Sequence, residues 1–233
     1  MKPPIEAGRN LTTRLRTAKG RTTASQKWLE RQLNDPYVRA AKVAGWRSRA
    51  AFKIIELDDK YKLFRPGQRV VDLGAAPGGW TQVAVQRVGN TGRVVALDLL
   101  PMDEIAGATL LEGDFQDLAV EQAVLDAMQG PADLVLSDMA PNTTGHNATD
   151  HIRILALIEL ALDFAGKVLT PNGSFVAKVF QGGTERDMLN RLKRDFASVK
   201  HAKPPSSRKD SAEMYVVAQG FRGAGAAADT PRD

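Results

Sequence analysis

The 233-residue sequence predicts an α/β fold: a doubly wound, seven-stranded, mostly parallel sheet that closes with an antiparallel C-terminal hairpin. Three observations predict it. From Arg69 onward, short apolar runs rich in valine alternate with helical stretches, the pattern of strands joined by crossover helices. The first run, VVDL, opens into a glycine-rich turn, GAAPGGW, at the place where an open parallel sheet carries its ligands. The last two runs have no helix between them, so they pair antiparallel.

Residues 1–45 read as a basic N-terminal extension that is partly helical. SQKWLERQLND forms a short helix with Ser25 as N-cap, and Pro36 opens a second that reaches Ala44. After Gly45, WRSRAAFKIIELDDKYKLF reads as a longer helix, with an apolar stripe at Ala50, Ile54, Leu57 and Tyr61. Strand Arg69–Leu73 follows, then a helix from Gly79 to Val88, a turn at Gly89–Gly92 and strand Arg93–Asp98. Strand Thr109–Glu112 leads to a helix at Leu118–Met128, and strand Ala132–Asp138 leads to a Pro/Asn/Gly loop. A long amphipathic helix over Asp150–Val168 is ended by Pro171–Gly173. Strand Ser174–Phe180, a helix near Glu185–Arg194 and strands Ala197–His201 and Met214–Gln219 complete a domain over 46–221. The tail, 222–233, is expected to be disordered.

Composition removes whole classes of chemistry. Cysteine is absent, which excludes disulfides, thiolate metal sites and cysteine nucleophiles. His146, His151 and His201 form no metal-spaced pair, so no metal is expected. There is no apolar run long enough to span a membrane and no signal-peptide core, which makes a cytoplasmic monomer the expectation. The net charge of +5 is uneven: residues 1–65 hold 16 Lys and Arg against 6 Asp and Glu, and the remainder is net acidic. A cationic segment on an acidic body points to a polyanion, most simply nucleic acid.

The glycine loop discriminates among ligands. GAAPGGWT has no lysine after its glycines, so it is not a phosphate-binding P-loop. Ala76 and Pro77 break the G-x-G-x-x-G spacing that a dinucleotide site needs. S-adenosylmethionine fits better, because it has no phosphate and needs room for an amino acid and a nucleoside beside Gly74, Gly78 and Gly79. Asp98 ends the second strand, 24 positions after Gly74, where an acid accepts ribose hydroxyls. Asp114 follows the third strand within reach of the adenine amine, and Asp72 can orient the methionyl ammonium directly or through water.

The acceptor is narrowed by elimination and by one odd residue. SDMAPN, after the fourth strand, lacks the tandem proline and aromatic of exocyclic-amine methylation, and attack at pyrimidine C5 needs a cysteine. Lys178 stands alone among apolar residues in FVAKVF, where burying an ammonium is costly unless it is paired. Asp138 ends the fourth strand, Glu213 opens the last, and Lys53 flanks the stripe of the early helix. A Lys–Asp–Lys–Glu set suits a ribose 2′-hydroxyl, a poor nucleophile that needs positioning and help in losing its proton. Lys178 is then either a base or an orienting cation.

SRAAFKIIELD, VVDLGAAPGGWTQV, ALDLLPMD, LEGDFQD, LVLSDMAPNTTG, FVAKVFQGG and SSRKDSAEMYVVA, in this order, resemble the FtsJ-type ribosomal-RNA ribose 2′-O-methyltransferases of bacteria. The resemblance runs from about Trp46 to Arg222. It implies a Rossmann-like class I fold that uses S-adenosylmethionine, and a catalytic tetrad at Lys53, Asp138, Lys178 and Glu213. It also implies donor contacts at Gly78, Trp80, Asp98, Asp114 and Asp138. The implied substrate is a uridine of 23S rRNA within the assembled large ribosomal subunit. Arg39, Lys42, Arg47 and Arg49, with Lys27 and Arg31, are expected to contact RNA phosphates, and Lys200, Lys203, Arg208 and Lys209 extend that surface. Two other readings stand beside this one: a small-molecule methyltransferase on the same fold, and an rRNA-binding assembly factor with little or no activity.

Overall fold

A computed structural model of the chain describes residues 22–141, 147–180, 186–208 and 210–223. Two helices, α1 (Thr23–Asn34) and α2 (Pro36–Val43), precede α3 (Ala50–Tyr61). The sheet comprises β1 (Arg69–Leu73), β2 (Arg93–Asp98), β3 (Ala108–Glu112), β4 (Ala132–Ser137), β5 (Leu169–Phe180), β6 (Phe196–Ala202) and β7 (Glu213–Phe221). The helices α4 (Gly79–Val88), α5 (Leu118–Met128), α6 (Asn147–Val168) and α7 (Arg186–Asp195) link them. Strand order is β3-β2-β1-β4-β5-β7-β6. The first five are parallel, whereas β7 runs antiparallel to both β5 and β6. The expected seven-stranded sheet and closing hairpin are both present.

The chain places β7 inside the sheet and leaves β6 at the edge. Burial explains why. Tyr215, Val216, Val217 and Ala218 are all buried, and a strand apolar on both sides has to lie between two neighbours. FASVKHA instead exposes Lys200 and His201, which suits an edge strand.

Alternate residues of each central strand feed opposite layers. Val71, Leu73, Val95 and Leu97 pack with α5, α6 and α7. Val70, Val94, Leu134, Leu136 and Val217 pack with α3 and α4. Ile54 and Leu57 anchor α3 there, each contributing about 1.5–3 kcal/mol by burial.

Several local expectations shift. The N-cap of α1 is Thr22, whose side chain accepts from the Ser25 backbone N–H, so Ser25 lies inside the first turn. The WRSR segment precedes α3 instead of joining it. The buried positions of α3 are Ala51, Ile54, Leu57 and Asp58, while Ala50 and Tyr61 are only partly covered. β5 starts directly after α6, and Pro171–Gly173 lie within it as an irregularity. Ala132 and Leu134 of β4 are opposite Leu169 and Ser174, and Asn172 in the extra length has φ 66°. Residues 1–21, Lys209 and the tail from 224 lie outside the described residues.

Candidate active site

At the C-terminal ends of β1, β2 and β4 lies a cavity of about 270 Å³. Its wall includes Gly74, Asp98, Asp114, Phe115, Asp138 and Met139. Backbone amides fix two of these carboxylates: Asp98 accepts from Ala76 at 2.8 Å and from Leu100 at 2.9 Å, and Asp114 accepts from Gln116 at 2.9 Å. No lysine or arginine is among the described lining residues. Gly74 has φ 74°, and a Cβ there would come within 2.7 Å of the Met139 backbone, so only glycine lets β1 and the loop after β4 meet at the cavity mouth.

Not every residue expected at the donor lines this cavity. Gly78, Gly79 and Trp80 are not among its lining residues, and each docks α4 against its surroundings. A Cβ at Gly78 would lie 2.6 Å from Ile105 Cδ1, and one at Gly79 would lie 2.5 Å from Ser48 Oγ. The Trp80 ring is buried, its Nε1 donates to the Ala50 carbonyl at 2.9 Å, and it packs 5.5 Å from the Tyr215 ring. Asp72 also lies off the wall, so the direct ammonium contact is not the one the structure provides. It is fully buried; Thr81 donates to Oδ2 at 2.7 Å, and Oδ1 has no partner. Burial pushes its carboxyl up to about 7; the Asp138 and Asp98 carboxylates push the same way, while the Thr81 hydrogen bond opposes them.

Beside the cavity, side chains from four elements meet. Lys178 Nζ, on β5, donates to the Asp138 carbonyl at 2.8 Å and lies 2.9 Å from Asp138 Oδ1. Tyr215 Oη, on β7, donates to the same Oδ1 at 2.9 Å. Lys53 Nζ, on α3, donates to Tyr215 Oη at 3.2 Å and to Glu213 at 2.7 Å. Ser207 Oγ donates to Glu213 Oε1 at 3.1 Å. The four expected residues are thus joined in one run, and their side chains are 11–17% exposed. Strand pairing accounts for half of this assembly. Lys178 is opposite Tyr215 and Phe180 opposite Glu213, so Lys178, Tyr215 and Glu213 share one sheet face.

Tyr215 is the member that the sequence reading missed. Burial first, then the Asp138 and Glu213 carboxylates, hold its phenol well above the usual range, so it stays a proton donor to Asp138. One signal for it exists in the sequence: it stands two positions after Glu213 in a strand, hence on the same face.

The expected RNA contacts divide. Arg39 and Lys42 are exposed on α2. Arg47 is not a free cation: its guanidinium donates to the Pro77, Asp103 and Glu104 carbonyls at 3.3, 2.7 and 2.6 Å and ties the glycine loop to the segment after β2. Arg49 is likewise committed, to the Asp35 carboxylate and the Ser206 carbonyl, over the Tyr37 ring. Both reach backbone or carboxylate partners at short range, a contact that sequence spacing does not reveal.

The family model described as FtsJ-like methyltransferase matches residues 46–221. The chain belongs to the FtsJ-like methyltransferase family. Two relatives carry the name Ribosomal RNA large subunit methyltransferase E. That of Gluconobacter oxydans is 65% identical over 92% of this chain and 79% of its own length. That of Acidiphilium cryptum is 63% identical over 94% and 96%. Matches of this extent take in part of the first 45 residues as well as the family domain. Among solved structures, a ribosomal RNA methyltransferase from Plasmodium falciparum superposes with TM-score 0.69 at 28% identity, covering 76% of this chain and all of that one. A Streptococcus thermophilus protein described as a hemolysin shares the fold at TM-score 0.57 and 18% identity, over 80% of this chain and 70% of its own. This FtsJ-like chain is therefore a methyltransferase with a Rossmann-like sheet.

Proposed function

We propose that this chain transfers a methyl group from S-adenosylmethionine to the ribose 2′-hydroxyl of a uridine in 23S rRNA, within the large ribosomal subunit in the cytoplasm. The observation that carries this reading is the continuous run Lys178–Asp138–Tyr215–Lys53–Glu213 beside a cavity lined by carboxylates. The names of the closely similar relatives support the RNA class, as does the basic excess of residues 1–65. Among the described residues no helix is long and apolar enough to cross a membrane.

The cavity suits the donor by charge. A phosphate-bearing cofactor would face Asp98, Asp114 and Asp138 with no cation to meet it. S-adenosylmethionine has no phosphate, is cationic, and offers hydroxyls and amines to acceptor oxygens. Asp98 would hold the ribose, Asp114 the adenine amine and Asp138 the methionyl end. When bound, the cofactor supplies a methyl group on a sulfonium sulfur.

The residues of the chain supply position. A lysine ammonium has three hydrogens to donate. Lys178 directs two at Asp138, one to the carbonyl and one to the carboxylate, and keeps the third for the acceptor oxygen. That contact occupies one lone pair of the hydroxyl oxygen and aims the other at the methyl group. The hydroxyl proton becomes strongly acidic as the O–C bond forms, and it passes to water. Tyr215 keeps Asp138 oriented. Lys53, fixed by Glu213, flanks the ribose from the other side.

The test is transfer of labelled methyl to large subunits from cells lacking the enzyme, followed by mapping of the product. One labelled uridine 2′-oxygen is expected. Label on a base, on protein or on a small molecule would overturn the reading.

A further inference from the structure

A second cavity, of about 150 Å³, takes the Lys53–Glu213 pair into its wall. It is lined by Gln32, Arg49, Lys53, Arg208, Ser211 and Glu213. The two cavities share no lining residue, yet one hydrogen-bonded run links them: Asp138 belongs to the first wall, Lys53 and Glu213 to the second, and Tyr215 joins them. The second cavity therefore meets the hydrogen-bonded run at its Lys53–Glu213 end, opposite the Asp138 end that lines the first.

Its chemistry is cationic. Arg49, Lys53 and Arg208 face the carboxylates of Glu213 on the wall and Asp35 behind it. Glu213 is engaged by Lys53 and Ser207. Asp35 caps α2 through the Tyr37 N–H and takes both Arg49 and Arg208. Glu56 lies by the same group but is taken by the Ser206 N–H and hydroxyl, so on the wall itself three cations stand against Glu213 alone. Arg208 is the least tightly held of the three: its contacts to Asp35 are 3.2 and 3.4 Å, and its side chain is 32% exposed.

The geometry points to a phosphodiester subsite: this cavity holds a backbone phosphate that flanks the target ribose, with Arg208 as its principal contact. The inference rests on the RNA reading above. It also gives the N-terminal segment a role. Gln32 comes from α1 and Asp35 from the α1–α2 junction, both outside the residues matched by the family model. Asp35 is then a positioning residue, which fixes Arg49 and leaves Arg208 able to exchange a carboxylate for a phosphate.

The experiment uses the full chain with unmethylated large subunits. Subunit affinity is measured over a range of salt for wild type, Arg208→Ala, Arg208→Lys and Gln32→Glu, with S-adenosylmethionine affinity and Tm as controls. Losing one phosphate contact lowers the slope of log K against log salt by about 1. Arg208→Ala is expected to bind subunits about tenfold more weakly with that reduced slope, and Arg208→Lys to keep the wild-type slope. Gln32→Glu, which adds a charge without breaking an ion pair, is expected to weaken binding by a similar factor. Donor affinity should not change in any of them. An unchanged salt slope in Arg208→Ala, while wild type still methylates the RNA, would overturn the subsite alone. Failure of wild type to methylate RNA would overturn the subsite together with the reading beneath it.

Discussion

The cavity proposed for the donor and the Lys–Asp–Lys–Glu cluster proposed to serve the acceptor, here the donor side and the acceptor side, are built by different means. The donor cavity draws Gly74, Asp98, Asp114 and Asp138 from successive strand ends of a parallel sheet, with the Asp98 and Asp114 carboxylates held by backbone amides. The acceptor side draws Lys53 from a helix that precedes the sheet, Lys178 from β5 and Glu213 and Tyr215 from a strand that returns into the sheet interior. Lys53 and Glu213 are 160 positions apart in sequence and 2.7 Å apart in space. The first region is a consequence of local strand-to-loop chemistry, and the second of long-range packing. Substitutions on the acceptor side should therefore affect turnover with donor binding intact, whereas those on the donor side should affect binding and stability together.

The largest expected effect breaks the acceptor side. Lys178→Ala removes the ammonium proposed to aim the acceptor oxygen, and turnover should fall by about 10²–10³ or more. Donor affinity measured by calorimetry should remain within about twofold of wild type. Unchanged turnover would show that Lys178 does not serve the reaction.

Next comes the donor side. Gly74→Ala forces a Cβ into the Met139 backbone at a positive φ, and it should cost about 2–4 kcal/mol. Thermal unfolding should register the loss, and donor binding should weaken with it. A variant with wild-type Tm and affinity would mean that β1 and the loop after β4 can separate freely.

Asp72 sharpens the contrast through pH. Its carboxyl binds a proton more tightly in the folded chain than at its ordinary value of 3.8. The stability it contributes is complete below about pH 4 and is lost as pH rises through about 7. Asp72→Asn should thus match wild type near pH 4 and exceed it at pH 8 by a few kcal/mol at most. Denaturant melts at the two pH values check the sign; a variant less stable at pH 8 than wild type would contradict the buried-charge account.

The smallest effect falls on the link between the two sides. Tyr215→Phe keeps the buried ring but removes the hydroxyl between Lys53 and Asp138. Turnover should drop roughly tenfold, the equivalent of one hydrogen bond of about 1.4 kcal/mol, with little change in Tm. Single-turnover kinetics can measure it, and a wild-type rate would make the link dispensable.

Much of this was legible from residues alone because the signals are local. Alternating strands and helices, a glycine loop and acids at strand ends depend on near neighbours, and Gly74, Asp98 and Asp114 all line the cavity. Gly78 and Gly79 read as donor contacts for the same reason, and Trp80 by family resemblance; that their glycine faces and indole also pack against Ile105, Ser48 and Ala50 is not legible in the sequence. Arg47 and Arg49 read as surface cations, but their partners, Asp103, Glu104, Asp35 and Ser206, are remote in sequence or carried on backbone carbonyls.

What the sequence determined by itself is the element order, the sheet class and the kinds of group needed for chemistry, since hydrophobic period, turn residues and charge act over a few positions. Tertiary structure alone decided which of those groups meet. Placing β7 between β5 and β6 sets Tyr215 opposite Lys178 and brings Glu213 to Lys53. That placement follows from burying both faces of one strand at once, a requirement of the whole sheet that no short stretch of residues contains.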